Sequence, residues 1–163
     1  MVREMADMRK MQICIPEPLP YSSWRAVRSL AQTALPIHVL LIEDNAEQAT
    51  WVRLSLEHEP KSGYQVEWVP NLMRGMKRMT RPGIDVVLLD LGLPELSGYR
   101  THTAIRLMAP KIPVVVLTAD ESDESHELAI LDGAADYLVK GETSSAELRE
   151  AVRLSYLANR YEW

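Results

Sequence analysis

Cysteine is nearly absent from this 163-residue chain: Cys14 stands alone. A single cysteine cannot close an intramolecular disulfide, so the sequence reads as a protein of a reducing compartment. No apolar run approaches the roughly 18 residues of a membrane-spanning helix. The first residues lack a secretory pattern, because acids and prolines interrupt any apolar region. A single-sign excess of basic charge is missing as well. The net charge is −5 with both signs interspersed, which argues against a broad nucleic-acid-binding surface. These absences point to a cytoplasmic domain with no membrane contact and no direct nucleic-acid contact. Apolar residues make up 47% of the chain, enough for a core in one domain of ordinary size.

The chain divides near Leu35-Pro36 into an N-terminal extension (1–36), a regular domain (37–158) and a short tail (159–163). Four of the ten prolines lie in the extension, three of them in IPEPLP, where neither helix nor strand is expected. Five cations against three acids give it +2 and leave −7 for the remainder. Met1, Met5, Met8 and Met11 follow helical spacing, as do Trp24, Val27, Leu30 and Ala34. Ser22 or Ser23 could cap the second of these helices. Two readings stay open: an arm that binds a partner or dimerises with Trp24 as anchor, or an extension lying on its own domain.

Beyond Pro36 strands and helices alternate. IHVLLI (37–42), YQVEWV (64–69), DVVLLD (85–90), PVVVLTA (113–119) and DYLVK (136–140) read as strands. Between them lie helices capped by Asn45 and Asn71, one over about 97–108, and one ending at Gly133. A last helix opens at Ser144 with Glu147 at capping-box spacing and runs towards Tyr156. Five aliphatic strands alternating with five helices specify an α/β fold, a doubly wound five-stranded parallel sheet with helices on both faces.

In such sheets ligands bind beyond the carboxyl ends of the strands. Four of the five strands end there in polar groups: Glu43-Asp44, Asp90, Thr118 and Lys140. Three carboxylates gathered in a partly desolvated cleft repel one another, and a hard divalent cation relieves the conflict. A site with few protein ligands and remaining waters favours Mg²⁺ over Ca²⁺. Lys140 adds a second positive charge and Thr118 a hydroxyl donor. The set can hold a tetrahedral dianion beside Asp90, whose carboxylate can itself accept a phosphoryl group.

These residues resemble the receiver domain of two-component response regulators. The likeness rests on LLIEDN, LLDLGLPELSG, VVVLTA and GAADYLVKG, in that order, between about Ile37 and Tyr156. It implies a flavodoxin-like fold in which Asp90 is the phosphoacceptor. Asp44, Asp90 and the Gly92 carbonyl would bind Mg²⁺, with Glu43 acting through water. Lys140 would pair with the phosphoryl group, Thr118 would move to hydrogen-bond it, and Tyr137 would be the switch aromatic. The implied partners are a sensor histidine kinase or phosphotransfer protein and a downstream protein target, with a homodimer left open. The implied output surface is the fourth helix, fifth strand and fifth helix. The only reactions implied are Mg²⁺-dependent self-phosphorylation and autodephosphorylation, so no enzyme acting on a separate substrate is expected.

Two departures stand out. The family's proline after the lysine is Gly141 here, and no cis peptide is expected without it. Gly92 and Asp120 occupy the positions that, in the family, tune the lifetime of the phosphoryl group, so an unusual lifetime is expected. Other classes fit less well. A flavodoxin needs a Ser/Thr/Gly-rich loop where EDNAEQ stands, and an aspartyl phosphatase commonly needs a second acid at Gly92. A non-phosphorylated scaffold or dimerisation module is the remaining alternative. His38, His58, His102 and His126 fall on different elements at no ligand spacing and read as mostly surface residues without a chemical role. ESDESHE reads as a solvated helix start and Cys14 as inert.

Overall fold

The computed structural model describes residues 36–58, 63–96, 99–119 and 123–160. The features expected before Leu35, including Cys14 and Trp24, lie outside the described residues, as do Asp120 and Trp163. The elements run in the order β1 (Ile37–Ile42), α1 (Ala46–Glu57), β2 (Tyr64–Val69), α2 (Leu72–Met79), β3 (Val86–Leu89), α3 (Tyr99–Met108), β4 (Val114–Thr118), α4 (Asp123–Leu131), β5 (Asp136–Val139) and α5 (Ser145–Arg160).

All five strands pair in parallel in the order β2-β1-β3-β4-β5. The order reverses between β1 and β3, whose registers run from Val39↔Val86 to Ile42↔Leu89. Successive side chains of a strand point to opposite faces, and each central strand therefore feeds two cores. Val39, Leu41, Val86, Leu88, Val115 and Leu117 pack with Ala49, Val52 and Leu56 of α1 and Leu148 and Val152 of α5. Leu40, Ile42, Val87, Leu89, Val114 and Val116 pack with Leu72 of α2, Ile105 of α3 and Ala129 of α4. Burial on both faces explains why these strands are continuously aliphatic. The edge strand β2 is instead only partly covered, and YQVEWV alternates accordingly.

The helix starts follow the sequence signals. Asn45 Oδ1 accepts the N–H groups of Glu47 and Gln48, and Asn71 Oδ1 accepts that of Arg74 at 2.9 Å. Ser144 and Glu147 cap reciprocally: the Glu147 carboxylate accepts the Ser144 N–H, and the Glu147 N–H donates to Ser144 Oγ. Gly133 ends α4 at a φ of +86°, a left-handed position suited to glycine. Several boundaries move, β4 and β5 by a residue at their ends. α5 continues a turn past Tyr156 to Arg160. β3 stops short of both flanking acids: Asp85 instead accepts the His38 N–H at 2.9 Å while its own N–H donates to the His38 carbonyl.

One histidine departs from the expected surface placement. His38 is partly buried and His58 and His126 are exposed, but His102 is fully buried in α3. α3 turns Thr101, His102 and Ile105 inward, with Ala109 just past its end, so its helical phase carries the imidazole with them.

Candidate functional site

The reversal of strand order leaves a crevice at the carboxyl ends of β1 and β3, and the acidic residues stand at its mouth. Glu43 and Asp90 extend the strand ladder by one residue each: the Asp90 N–H donates to the Ile42 carbonyl at 3.0 Å and the Glu43 N–H to the Val69 carbonyl at 3.2 Å. Backbone pairing thus fixes both carboxylates before any side-chain contact is made. Glu43 is 1% exposed and Asp90 6%, whereas Asp44 is open to solvent. Ligand oxygens of the three lie within 4.8 Å of one another.

Lys140 closes the site from β5. Its Nζ lies 2.7 Å from Glu43 Oε2 and 2.9 Å from Asp90 Oδ2. Its backbone N–H donates to the Thr118 carbonyl at 2.7 Å, tying the lysine to the end of β4, where Thr118 is buried. The other carboxylate oxygens are held as well: Glu43 Oε1 accepts the Asn45 N–H at 3.1 Å, and Asp90 Oδ1 accepts the Gly92 N–H at 2.9 Å. Trp68 Nε1 donates to the Glu43 carbonyl at 2.8 Å, an anchor from the edge strand that no local sequence pattern marks. Burial pushes the Glu43 carboxyl up, and the Asp90 charge adds to this. The Lys140 ammonium and the Asn45 N–H pull it only partly back.

One ammonium does not balance three carboxylates. With all three ionised the group retains two negative charges in a cleft where two of them are nearly dry, a charge that one divalent cation would cancel. The donors are all hard oxygens, which suits Mg²⁺. Gly92 keeps one side of Asp90 uncovered: a Cβ there would stand 3.4 Å from both carboxylate oxygens. The donor set therefore fits the ion that the sequence reading expected.

After Lys140 the chain turns at Gly141 with a φ of +87°, and no cis peptide bond occurs among the described residues. Glycine thus makes by left-handed geometry the turn that a proline would otherwise set. Tyr137, on β5 three residues before Lys140, is partly buried against the core formed with α2, α3 and α4. Its ring centroid lies 5.0 Å from that of His126 on α4, with the planes tilted by 32°.

Residues 39–153 match the family model described as "Response regulator receiver domain". The chain belongs to this family. Among curated relatives it is 34% identical over 119 residues to the transcriptional regulatory protein YkoG of Bacillus subtilis, covering 71% of this chain and 51% of that one. It is 36% identical over 121 residues to the KDP operon transcriptional regulatory protein KdpE of Escherichia coli, with the same two coverages. The chain thus spans about half the length of these relatives. A receiver domain from Clostridium thermocellum superposes with a TM-score of 0.67 at 26% identity, covering 76% of this chain and 96% of that one. A CheY-like receiver domain protein from Methanospirillum hungatei gives 0.69 at 20% identity, covering 79% and 99%, and shares the fold. This receiver domain has, among the described residues, no helix long and apolar enough to cross a membrane.

Proposed function

We propose that residues 37–158 form a cytoplasmic phosphoacceptor domain, with 1–36 an extension and 159–163 a tail. Asp90 is the acceptor of a phosphoryl group from a sensor histidine kinase or phosphotransfer protein. The observation that supports this most is the position of Lys140 Nζ between Glu43 and Asp90 at 2.7 and 2.9 Å. An Asp90 oxygen attacks the phosphorus of a phosphohistidine; the P–N bond breaks, and the imidazole leaves with the bonding pair and takes up a proton. Asp90 suits this role because both its oxygens are held, one by Gly92 N–H and one by Lys140. Its rotamer is therefore set before the donor arrives. Asp44, Asp90 and the Gly92 carbonyl would hold Mg²⁺, with Glu43 acting through water. The bound ion would neutralise charge on the transferring oxygens. Lys140 then pairs with the phosphoryl group and Thr118 hydrogen-bonds it. The chain acts on its own aspartate and dephosphorylates itself, without a separate substrate.

Movement of Thr118 alters the burial of Tyr137 and so the surface made by α4, β5 and α5, where a downstream protein docks. The groove between β5 and α5 is rimmed by Asp136, Glu142, Glu147 and Glu150, so the partner presents basic groups to it. The names of the relatives speak of transcription, but the acidic residues 37–158 make no direct nucleic-acid contact. Adding beryllofluoride and Mg²⁺ to the isotopically labelled chain tests both parts. Amide resonances of Thr118, Tyr137 and the α4–β5–α5 surface are expected to shift, and to stay still in Asp90→Asn. Shifts confined to residues 43–45 and 90–92 would refute the switching surface. No shift at all would refute the acceptor role.

A further inference from the structure

A second cluster of titratable groups lies between α3 and α4 and takes no part in the chemistry at Asp90. His102 is fully buried, and its Nδ1 lies 2.7 Å from Oδ2 of Asp132, the residue directly after α4. The same oxygen accepts the Thr103 hydroxyl at 2.8 Å. Two adjacent side chains of α3 thus grip one carboxylate at the end of α4. A second contact reinforces them: the Arg106 guanidinium of α3 lies over Gly133, where a Cβ would come within 2.8 Å of it. At its other end α4 rests on β5 through the ring contact of His126 with Tyr137.

With Nδ1 donating to Asp132, the neutral ring carries no proton on Nε2. That atom is buried and meets no hydrogen-bond partner among the described residues. Protonation would place an N–H there with no acceptor, which a buried site strongly disfavours. The charged groups acting on the ring are Asp132 and Arg106. Around α3, the strands β3 and β4 supply aliphatic Val87, Leu89, Val114 and Val116, and α2 supplies Leu72, Met76 and Met79. We propose that His102–Asp132 is an acid-released anchor, holding the C-terminal end of α4 to α3 at neutral pH and letting it go as His102 takes up a proton.

The direction follows from linkage. Burial lowers the pKa of His102 below its ordinary 6.5, and the attraction of Asp132 offsets this only in part. The released state therefore binds protons that the anchored state rejects. The anchor's contribution is intact above about pH 6.5, fades as pH falls below it, and levels off beneath the lower pKa of the anchored ring. Burial pushes Asp132 up, but hydrogen bonds from Thr103 and His102 outweigh it and hold the carboxyl below its usual range. Asp132 thus stays ionised throughout this window.

Amide hydrogen exchange on the intact chain between pH 7.5 and 5.5, corrected for intrinsic rates, tests the anchor. Opening at the ends of α3 and α4 is expected to rise as pH falls below the free histidine value and to level off at lower pH. In His102→Asn, whose amide can still donate to Asp132 but does not titrate, the rise should vanish. Its persistence would overturn the proposal, since a group other than His102 would then be responsible. Should that variant not fold, the ring nitrogens of the native chain decide. A neutral Nδ1–H form titrating below about 6.5 supports the anchor, and a midpoint at or above that value overturns it.

Discussion

Replacing Lys140 with methionine is expected to destabilise the domain by about 3 kcal/mol in metal-free buffer near pH 8, read from urea unfolding. Methionine keeps most of the aliphatic stem and removes only the cation. The ammonium lies 2.7 and 2.9 Å from carboxylate oxygens of two nearly buried acids, and Asp44 stands beside them. Breaking a buried pair on one side leaves the other charge uncompensated, and here two are left. The sign of the pH dependence follows from Glu43, whose pKa burial already raises. Without Lys140 it loses the group that pulls it down. Protonation then relieves the site, so the deficit is largest above the folded pKa of Glu43 and shrinks as pH falls through it. Millimolar Mg²⁺ should restore stability to the variant more than to the native chain. A Lys140→Met domain as stable as the native one at pH 8 would show that Lys140 does not offset the acids.

Gly75→Val is expected to cost about 3 kcal/mol, combining an overpacked core with a β-branched residue in a short helix. A Cβ at Gly75 would run into Cδ1 of Ile42 and stand 2.9 Å from its Cγ1. Ile42 is fully buried at the end of β1 and has nowhere to retreat. It also directly precedes Glu43, so the displaced strand end would carry the acidic pair with it. The close approach of α2 to β1 thus supports the geometry of the site as well as the core. Pairing the change with Ile42→Ala should lose less than the two separate losses combined, by 0.5–3 kcal/mol in a double-mutant cycle. Strict additivity would mean the two residues do not meet.

Much of this was legible because strands buried on both faces need unbroken aliphatic runs, while the crevice where they end needs polar groups. IHVLLI followed by Glu43-Asp44, and VVLL followed by Asp90, carry both halves of that signal within a few residues. Asn45, Asn71 and Ser144 marked helix starts because their side chains satisfy N–H groups that the helix cannot. What stayed hidden depends on contacts between distant elements. The Gly75–Ile42 approach and the Trp68 donor to the Glu43 carbonyl involve no local pattern. His102 was legible in principle, since it stands three residues before Ile105 and seven before Ala109 on one helical face. Ligand spacing among the four histidines carries no such signal, and the partner of His102, Asp132, lies 30 residues on.

Whether Asp90 takes up a phosphoryl group is decided by intact mass spectrometry after incubation with Mg²⁺ and acetyl phosphate. One phosphoryl adduct is expected, abolished by EDTA and absent from Asp90→Asn. No adduct under any condition, or an equal adduct in Asp90→Asn, would contradict phosphoryl uptake by Asp90 and leave a receiver fold that serves as a scaffold.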